Sequence, residues 1–393
     1  MAFRLEDVQA ALAEDRLDGW LLYDFHGSNP IACSMAGLNG GGKMTTRRWF
    51  YLIPAKGTPR ALVHAIEPHT LSNLPGDTRQ YAGRDALSRE LDTLLSGIGT
   101  LAMEYSPDNA IPYIARVDAG TVEAVRKRGV TVVSSGDLVQ RFEARWSPAQ
   151  LETHMAASAA LYRIKDRAFG AIADHTRTGA AFTEFDVQRW MTGWFRDEEL
   201  TSEDKPVVAS MENAGNPHYM PLDGKTRAIG PDDLVLLDLW GKLQQPGAVY
   251  ADITWVCHTG RVVPDEQARA FAAIAAARDA ALALTQAAAR DGRDLRGWQV
   301  DQAARAVLID AGYAAQLLHR TGHSLGEQVH GNGVHMDDYE THDDRRLLPG
   351  TGFTIEPGVY FPHFGVRTEI NVFYDAGEAR ASGPRQAAII TLR

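Results

Sequence analysis

Cysteine and long apolar runs are nearly absent from this chain. Cys33 and Cys257 are the only cysteines among 393 residues, which is too few for a disulfide framework and fits a reducing compartment. Residues 1–20 mix charges with helical apolar spacing, so they lack the apolar core of a secretory signal. No run of about 18 apolar residues follows them. We therefore expect a cytoplasmic protein without a membrane span.

Basic charge is also in deficit. Lysine and arginine total 40 against 50 aspartates and glutamates, which gives a formal net charge of −10. No lysine- or arginine-rich stretch offsets this average, so we expect small-molecule partners and no nucleic acid. The length suits two domains or one large domain, and a hydrophobic content of 45% is ample for buried cores.

Residues 1–146 have the pattern of an α/β domain. Short runs of apolar, β-branched and aromatic residues alternate with stretches that have helical spacing. The predicted strands include residues 17–25, 47–54, 99–107 and 130–135. We expect these strands to share one sheet, with helices packed against it.

A glycine-rich stretch in this region imitates a nucleotide-binding loop. Residues 37–43 read GLNGGGK, which matches phosphate-loop spacing up to the lysine. Met44 stands where a hydroxyl group would bind magnesium, and a strand pattern follows where a phosphate loop opens a helix. We interpret the stretch as a flexible glycine loop.

A domain boundary is predicted after residue 146. Ser147, Pro148 and Gln150 supply a helix N-cap, a proline at the first helical position and a capping-box partner. Further helices are predicted to begin near Thr183, Pro264 and Asp294. Strand-like runs lie between them, so residues 147–393 are predicted to form an α+β domain.

Five ionisable side chains stand where packing alone disfavours them. Four acids and one histidine lie in or beside apolar, strand-like runs: Asp238, Asp252, His323, Glu356 and Glu369. Glu356, for example, interrupts the apolar run 353–359. An unpaired carboxylate in such surroundings is costly, so it is normally paired, protonated or bound to a metal. We expect these five side chains to bind metal ions.

Charge balance predicts the number and kind of ions. Four carboxylates carry four negative charges, which two divalent cations neutralise, while a neutral imidazole adds no charge. Carboxylate-rich ligation with one imidazole favours manganese, with cobalt or zinc as substitutes. The absence of a thiolate among the five disfavours copper.

The motifs around these residues resemble one family of metallopeptidases, the creatinase, prolidase and methionine aminopeptidase group with the pita-bread fold. The resemblance rests on an ordered set of motifs: NPHY (216–219), DLWG (238–241), ADIT (251–254), GHSLG (322–326), VHG (329–331), TIEPG (354–358) and GVRTE (365–369). It covers residues 150–393, and residues 1–145 resemble the creatinase-type amino-terminal domain more diffusely. The expected architecture is that α/β domain (1–146) followed by a pita-bread catalytic domain (147–393).

The resemblance implies a role for each ligand. Asp238 would bind one ion, and Asp252 and Glu369 would bridge both ions at a separation of about 3.5–4 Å. His323 and Glu356 would complete the other ion's ligands. Such a pair of ions activates a water molecule for attack on a peptide carbonyl, and Glu356 would carry a proton to the leaving nitrogen.

Three more residues are predicted to contact substrate. His218, in NPHY, would donate a hydrogen bond near the departing nitrogen, and His330, in VHG, would contact the substrate carbonyl or carboxylate. Arg367 precedes Glu369 by two residues, so the two side chains share a face of a strand. Resemblance to prolidases implies that Arg367 clamps the carboxylate of a short peptide. The alternative is that Arg367 only neutralises surplus negative charge.

Substrate preference follows partly from the imide bond. An Xaa-Pro bond has no N–H, and a site of metals, histidines and an arginine does not require one. The creatinase-type amino-terminal domain implies Xaa-Pro cleavage over methionine removal. We favour dipeptides, with Arg367 on the carboxylate, and the family resemblance implies a homodimer. An Xaa-Pro aminopeptidase that acts on longer peptides is the alternative. A binding module without catalysis is a second alternative, from a different functional class.

Two departures from the family pattern affect the predicted pocket. Trp255 follows the Asp-Ile-Thr run where many relatives have arginine, which removes a charge. The interval from Asp238 to Asp252 is 14 positions (252 minus 238), longer than in most relatives. We place the insertion at residues 244–246, in a turn. Both departures are expected to leave the ligands intact and to alter the shape of the pocket.

Overall fold

A computed structural model describes residues 4–38 and 45–393 of the chain. Contacts between residues divide the chain into two compact units, Met1–Phe142 and Glu143–Arg393. Residues 39–44, which make up most of the glycine-rich stretch interpreted as a flexible loop, lie outside the described residues. None of the helices in the described ranges is both long and apolar enough to cross a membrane.

The first unit is built on a six-stranded sheet with the order β4-β3-β2-β1-β5-β6. Its strands are β1 (Gly19–Asp24), β2 (Trp49–Pro54), β3 (Arg60–His64), β4 (Asp77–Tyr81), β5 (Thr100–Met103) and β6 (Thr131–Ser134). Its helices are α1 (Leu5–Glu14), α2 (Pro30–Met35), α3 (Arg84–Leu94), α4 (Ala119–Arg126) and α5 (Gly136–Val139). The four strands predicted from the sequence are confirmed.

Buried central strands explain the apolar runs of the first unit. Every residue of β1 and β2 is buried, as expected for strands covered on both faces. β1 runs parallel to β5 and antiparallel to β2, and β5 runs parallel to β6. Parallel strands joined by helices make this unit the α/β domain that the sequence predicts.

The second unit combines four long helices with three small sheets. The helices are α6 (Pro148–Thr178), α7 (Glu184–Asp197), α8 (Asp265–Asp291) and α9 (Gly297–Asp310). The strands are β7 (Leu200–Thr201), β8 (Val207–Ser210), β9 (Leu234–Leu243), β10 (Ala251–His258), β11 (Ser324–Leu325), β12 (Thr351–Ile355), β13 (Gly358–Phe361), β14 (Phe364–Arg367), β15 (Ile370–Asp375), β16 (Glu378–Ala381) and β17 (Ile390–Thr391). Helices packed on mainly antiparallel sheets form an α+β domain.

The predicted start of α6 is confirmed at the level of single hydrogen bonds. The Ser147 hydroxyl accepts from the Gln150 backbone N–H at 3.2 Å, and the Gln150 side-chain oxygen accepts from the Ser147 N–H at 3.0 Å. Pro148 occupies the first helical position. A backbone N–H there would have no partner within the helix, so the missing N–H of proline costs no hydrogen bond. Thr183 and Asp186 form the same reciprocal pair at the start of α7.

Strand alternation decides which side chains of β10 face the helices. Ile253 and Trp255 belong to the apolar cluster that α6 and α7 form with β9 and β10. Successive side chains of a strand point to opposite faces, so Asp252 and Thr254 point away from this cluster. The packing of Ile253 and Trp255 against the helices thus directs Asp252 to the opposite face of β10.

His154 is a fully buried histidine of α6 with a defined tautomer. Its Nδ1 atom lies 2.7 Å from the carbonyl oxygen of Tyr250, and its Nε2 atom lies 2.8 Å from the Ser382 hydroxyl. A carbonyl oxygen only accepts, so Nδ1 carries the hydrogen and Nε2 accepts from the hydroxyl. Burial lowers the pKa of His154 from 6.5 to about 4, and the ring stays neutral in the folded protein.

We expect His154 to make the second unit acid-sensitive. Below pH 6.5 the unfolded state binds a proton on this ring, whereas the folded state does not until about pH 4. The free energy of unfolding is therefore highest above pH 6.5 and falls by about 3 kcal/mol as the pH drops to 4. Urea titrations of the chelated protein at several pH values should show a flatter pH dependence for His154→Gln than for wild type. His363→Gln, on an exposed ring, is the control and should keep the wild-type slope.

Candidate metal centre

The β9–β10 pair carries the two aspartates of the predicted site. Asp238 pairs with Thr254 across the two strands, and Asp252 pairs with Trp240. Asp238 and Asp252 therefore lie on one face, two positions apart along the ladder. The Asp252 backbone N–H also donates to the Asn371 side chain at 2.9 Å, which ties β10 to β15.

The histidine and Glu356 are brought together by Thr354 of β12. The Thr354 hydroxyl accepts from the His323 backbone N–H at 3.0 Å and lies 3.1 Å from Glu356 Oε1. Gly322 permits this approach, because a Cβ atom there would lie 2.0 Å from the Thr354 carbonyl oxygen. Close packing against Thr354 thus explains why the first residue of the GHSLG motif is glycine.

Glu369 follows β14 and is bonded back to β10. Its Oε2 atom accepts from the Thr254 hydroxyl at 2.7 Å, and its backbone N–H donates to the Thr254 carbonyl oxygen at 3.2 Å. The aspartates lie in β9 and β10, whereas His323, Glu356 and Glu369 lie next to the ends of β11, β12 and β15, which belong to another sheet. Two sheets therefore supply ligands to one place.

All five predicted ligands meet in one buried cluster. Ligand atoms of Asp252, His323 and Glu369 lie within 4.8 Å of one another. His323 Nε2 lies 3.7 Å from Asp252 Oδ2 and 3.4 Å from Glu356 Oε1. Asp238 joins the cluster through an ion pair with Arg367, whose Nε atom lies 3.9 Å from Glu356 Oε2.

Two oxygen atoms of the cluster fit a role as metal ligands. Asp252 Oδ1 and Glu369 Oε1 are buried and have no hydrogen-bond partner among the residues that the structure describes. Burial, together with neighbouring carboxylates, raises the pKa of both acids well above the usual range. A buried acceptor without a donor is costly, and a cation between these strands would remove that cost.

His323 presents a lone pair to the same space. Its Nδ1 atom lies 3.2 Å from the Ser324 carbonyl oxygen, so Nδ1 carries the hydrogen. Burial and then the Arg320 guanidinium lower the pKa of His323 to about 3. The Nε2 atom is therefore an unprotonated ligand atom that faces Asp252 and Glu356. The donor set, carboxylates with one neutral imidazole, suits hard to borderline divalent ions.

Arg367 belongs to the cluster itself. Its guanidinium forms an ion pair with Asp238 and donates to the Thr254 hydroxyl and the Tyr360 hydroxyl, each at 3.1 Å. Burial opposes its charged form, but Asp238, Tyr360 and Glu356 outweigh burial and raise the pKa of Arg367. These contacts favour the alternative in which Arg367 balances charge. The carboxylate clamp stays a prediction.

Tyr360 and His319, which the sequence did not single out, hold Arg367 in place. The Tyr360 hydroxyl lies 2.7 Å from His319 Nε2, and His319 Nδ1 lies 2.6 Å from the Arg320 carbonyl oxygen. Nδ1 must donate to that carbonyl, so Nε2 accepts from the Tyr360 hydroxyl, whose oxygen accepts from Arg367. Tyr360 lies in the apolar run GVYF, and nothing in that run distinguishes it from a core tyrosine.

The two substrate histidines predicted from motifs lie near the cluster. The His330 ring meets the His323 ring edge to face, with centroids 4.3 Å apart. His330 is exposed at the surface, and desolvation of its ring by neighbouring groups, followed by His323 and Arg320, lowers its pKa, with His218 contributing to the same shift. His218 is exposed, and its backbone N–H donates to the Asn216 side chain at 3.0 Å.

The two departures from the family pattern lie away from the ligand face. Trp255 faces α6, where the Lys165 ammonium lies 4.1 Å from its ring centroid and Tyr162 meets it edge to face. Lys165 of α6 thus places a positive charge beside residue 255, the position where many relatives have arginine. The insertion, residues 244–246, lies in bends and a turn after β9, and Gln244 hydrogen-bonds Glu199 and Leu200 there.

Two surface cavities are separate from this centre. One, of about 700 Å³, lies in the first unit against Tyr23, Arg48 and Tyr81. The other, of about 340 Å³, lies in the second unit against Trp146 and Phe373. Neither is lined by any of the five predicted ligands.

Comparison with known proteins identifies the family. Residues 157–375, more than half of the chain, match the model of metallopeptidase family M24. This chain belongs to family M24. The family expected from the motifs is confirmed.

Curated relatives of this M24 metallopeptidase include dipeptidases. It is 30% identical to the probable dipeptidase PepE of Mycobacterium tuberculosis over 243 residues, which are 61% of this chain and 59% of the relative. It is 32% identical to the Xaa-Pro dipeptidase of Lactobacillus delbrueckii subsp. lactis over 164 residues, 42% of this chain and 40% of the relative. The chain thus spans about six-tenths or less of the length of these relatives.

Solved structures match the M24 metallopeptidase over almost its whole length. Dipeptidase PepE from Mycobacterium ulcerans superposes with a TM-score of 0.69 at 24% identity, covering 99% of this chain and 96% of that one. A dipeptidase from Pyrococcus horikoshii OT3 gives 0.62 at 25% identity, with 98% and 99% covered. These matches confirm the predicted fold class, an α/β amino-terminal domain and a pita-bread catalytic domain.

Proposed function

We propose that this chain hydrolyses Xaa-Pro bonds, above all in dipeptides, with two divalent metal ions. Manganese is the proposed metal, with cobalt or zinc as substitutes. The ions would be held by the five clustered side chains: Asp238, Asp252, His323, Glu356 and Glu369. The observation that carries this proposal is the pair of buried oxygens without donors, Asp252 Oδ1 in β10 and Glu369 Oε1 just before β15, in one acidic cluster.

Charge supports two ions and an anionic substrate group. Four carboxylates and the Arg367 guanidinium sum to minus three, so two divalent ions leave the site at plus one. One ion would leave it at minus one, which repels a carboxylate in a buried site. A dipeptide places its terminal carboxylate close to the scissile bond. A positive centre therefore favours dipeptides over longer substrates.

The side chains divide the remaining work. When bound, the ions lower the pKa of a water molecule and polarise the scissile carbonyl. Glu356 lies at the edge of the cluster, with Oε1 near His323 and Thr354, and takes the proton to the leaving nitrogen. His330, whose ring meets the His323 ring edge to face, offers a hydrogen bond to the substrate carbonyl or carboxylate. His218, exposed beside it, binds near the departing nitrogen.

The choice of an Xaa-Pro substrate rests on chemistry and on similarity. The imide nitrogen has no N–H, and the proposed contacts from metals, His218 and His330 do not require one. The Lactobacillus relative is named an Xaa-Pro dipeptidase. The family resemblance implies a homodimer, and the scarcity of cysteine fits a reducing compartment, so we include a homodimer and a cytoplasmic location in the proposal.

A substrate series tests this function directly. With added manganese, we expect cleavage of Ala-Pro at a rate at least about tenfold above Ala-Pro-Ala and Ala-Ala, because the positive centre binds the nearby carboxylate. Chelated protein is the control and should cleave none of them. Cleavage of Ala-Pro-Ala with Ala-Pro untouched would show the Xaa-Pro aminopeptidase instead. Folded, metal-loaded protein that cleaves none of the three would favour a binding module.

A further inference from the structure

Glu184 is a buried acid outside the ligand cluster. It is the first residue of α7, and none of its surface is exposed. An acid in the first turn of a helix is ordinarily solvated and contributes through the helix dipole. Glu184 instead points inward, so its carboxylate needs partners from the protein.

Residues 211–219 form the loop that carries His218. The partners of Glu184 lie within this loop and on both sides of it. Oε1 accepts from the Ser210 backbone N–H at 2.7 Å and from the Ser210 hydroxyl at 2.8 Å. Oε2 accepts from the Tyr219 hydroxyl at 2.6 Å and from the Arg227 backbone N–H at 2.9 Å. The Asn213 amide donates to both oxygens, at 3.1 and 3.0 Å. One carboxylate thus joins the end of β8, the loop and the segment that leads into β9.

The opposite side of the loop rests on the β13–β14 hairpin. A Cβ atom on Gly215 would lie 2.2 Å from the Phe361 carbonyl oxygen, and one on Gly365 would lie 2.0 Å from the Ala214 carbonyl oxygen. Backbone is therefore packed directly on backbone here. The hairpin also carries Arg367, which contacts the metal cluster, and Tyr360, which contacts Arg367. Packing against this hairpin therefore restricts movement of the loop toward the cluster.

The His218 side chain itself has no hydrogen-bond partner in the part of the chain that the structure describes. Only its backbone is bonded, to Asn216. Its position is consequently set by its neighbours, and Tyr219, the next residue, is held by Glu184 through the shortest of these bonds.

We infer that Glu184 is a positioning residue for the reaction, which fixes His218 beside the metal centre. This inference rests on the proposed function, because it assigns Glu184 to the placement of a substrate-binding histidine. Glutamine in its place would put an N–H₂ group against N–H donors, leaving some of them unpaired. The loop would then loosen, while the distant ligands stay in place.

A double-mutant cycle tests this inference. We expect Glu184→Gln to lower kcat for Ala-Pro about tenfold or more with KM changed less than about threefold, and with unchanged metal content. In a His218→Ala background the same substitution should cost less than about twofold. The matched control is Glu212→Gln, because the Glu212 side chain is 58% exposed and lies on the same loop. It should behave as wild type.

A milder variant and a second readout keep the test decisive. Tyr219→Phe removes a single donor to Glu184, so it should fold and lose kcat several-fold, again only when His218 is present. Hydrogen exchange of the metal-loaded protein should show faster exchange at residues 211–219 in Glu184→Gln than in Glu212→Gln, with α9 unchanged. This readout needs no turnover, so it stands even if Ala-Pro is not a substrate. Multiplicative losses in the cycle, or faster exchange throughout the second unit, would overturn the positioning role.

Discussion

Glu369→Gln is expected to abolish Ala-Pro hydrolysis, with a loss of about a thousandfold or more. Glu369 Oε2 is bonded to the Thr254 hydroxyl, and Oε1 lies in the cluster without a donor. Glutamine keeps the size of the side chain but removes the charge that would hold both ions. A thousandfold loss corresponds to about 4 kcal/mol of transition-state stabilisation, a reasonable value for losing a metal's Lewis acidity. Initial rates at saturating manganese, with metal content measured on the same samples, give the answer.

The control for this variant is an exposed glutamate of the same unit. Glu378→Gln makes the identical chemical change at an exposed position of β16 and should retain wild-type turnover and metal content. Glu369→Gln that keeps more than a tenth of wild-type activity with two bound ions would contradict the assigned ligand.

Removal of metal should lower the thermal stability of the second unit substantially. Asp252 and Glu369 are buried, and burial with mutual repulsion raises the pKa of both. Bound cations relieve that repulsion. At metal concentrations about a hundredfold above Kd, two sites contribute about 5 kcal/mol, which corresponds to about 10 °C or more in Tm for a unit of this size. Calorimetry of chelated and manganese-loaded protein measures the shift.

The Glu369→Gln variant provides the comparison for the thermal experiment. With the Glu369 carboxylate removed, its Tm should respond to manganese by less than half of the wild-type shift. An equal shift in both proteins would mean that manganese stabilises the chain from somewhere other than this cluster. Readdition of manganese to chelated wild type should restore both the Tm and the activity.

The sequence predicts the five ligands because charge in an apolar strand is a strong signal. Glu356 and Glu369 interrupt apolar runs, and in the structure Glu369 is buried while Glu356 is partly buried beside His323. The start of α6 was equally predictable, since Ser147 and Gln150 bond each other locally. Such signals depend on neighbours within a few residues, which a sequence displays directly.

The remaining parts of the site depend on contacts between distant segments. In the sequence, Tyr360 has the pattern of a core aromatic residue. Only the structure shows that its hydroxyl contacts Arg367 and His319. Glu184 reads as an ordinary first-turn acid, and only the fold shows that its carboxylate points inward. Strand β14 ends at Arg367, so Glu369 lies beyond the strand, although both side chains contact the Thr254 hydroxyl. The ion pair of Arg367 with Asp238 could not be foreseen, because 129 positions separate them.

Anomalous diffraction from crystals grown with manganese tests the central claim most directly. The account predicts two manganese peaks per chain, both among Asp238, Asp252, His323, Glu356 and Glu369. A single peak, or peaks outside these five side chains, would contradict a dinuclear centre at this site.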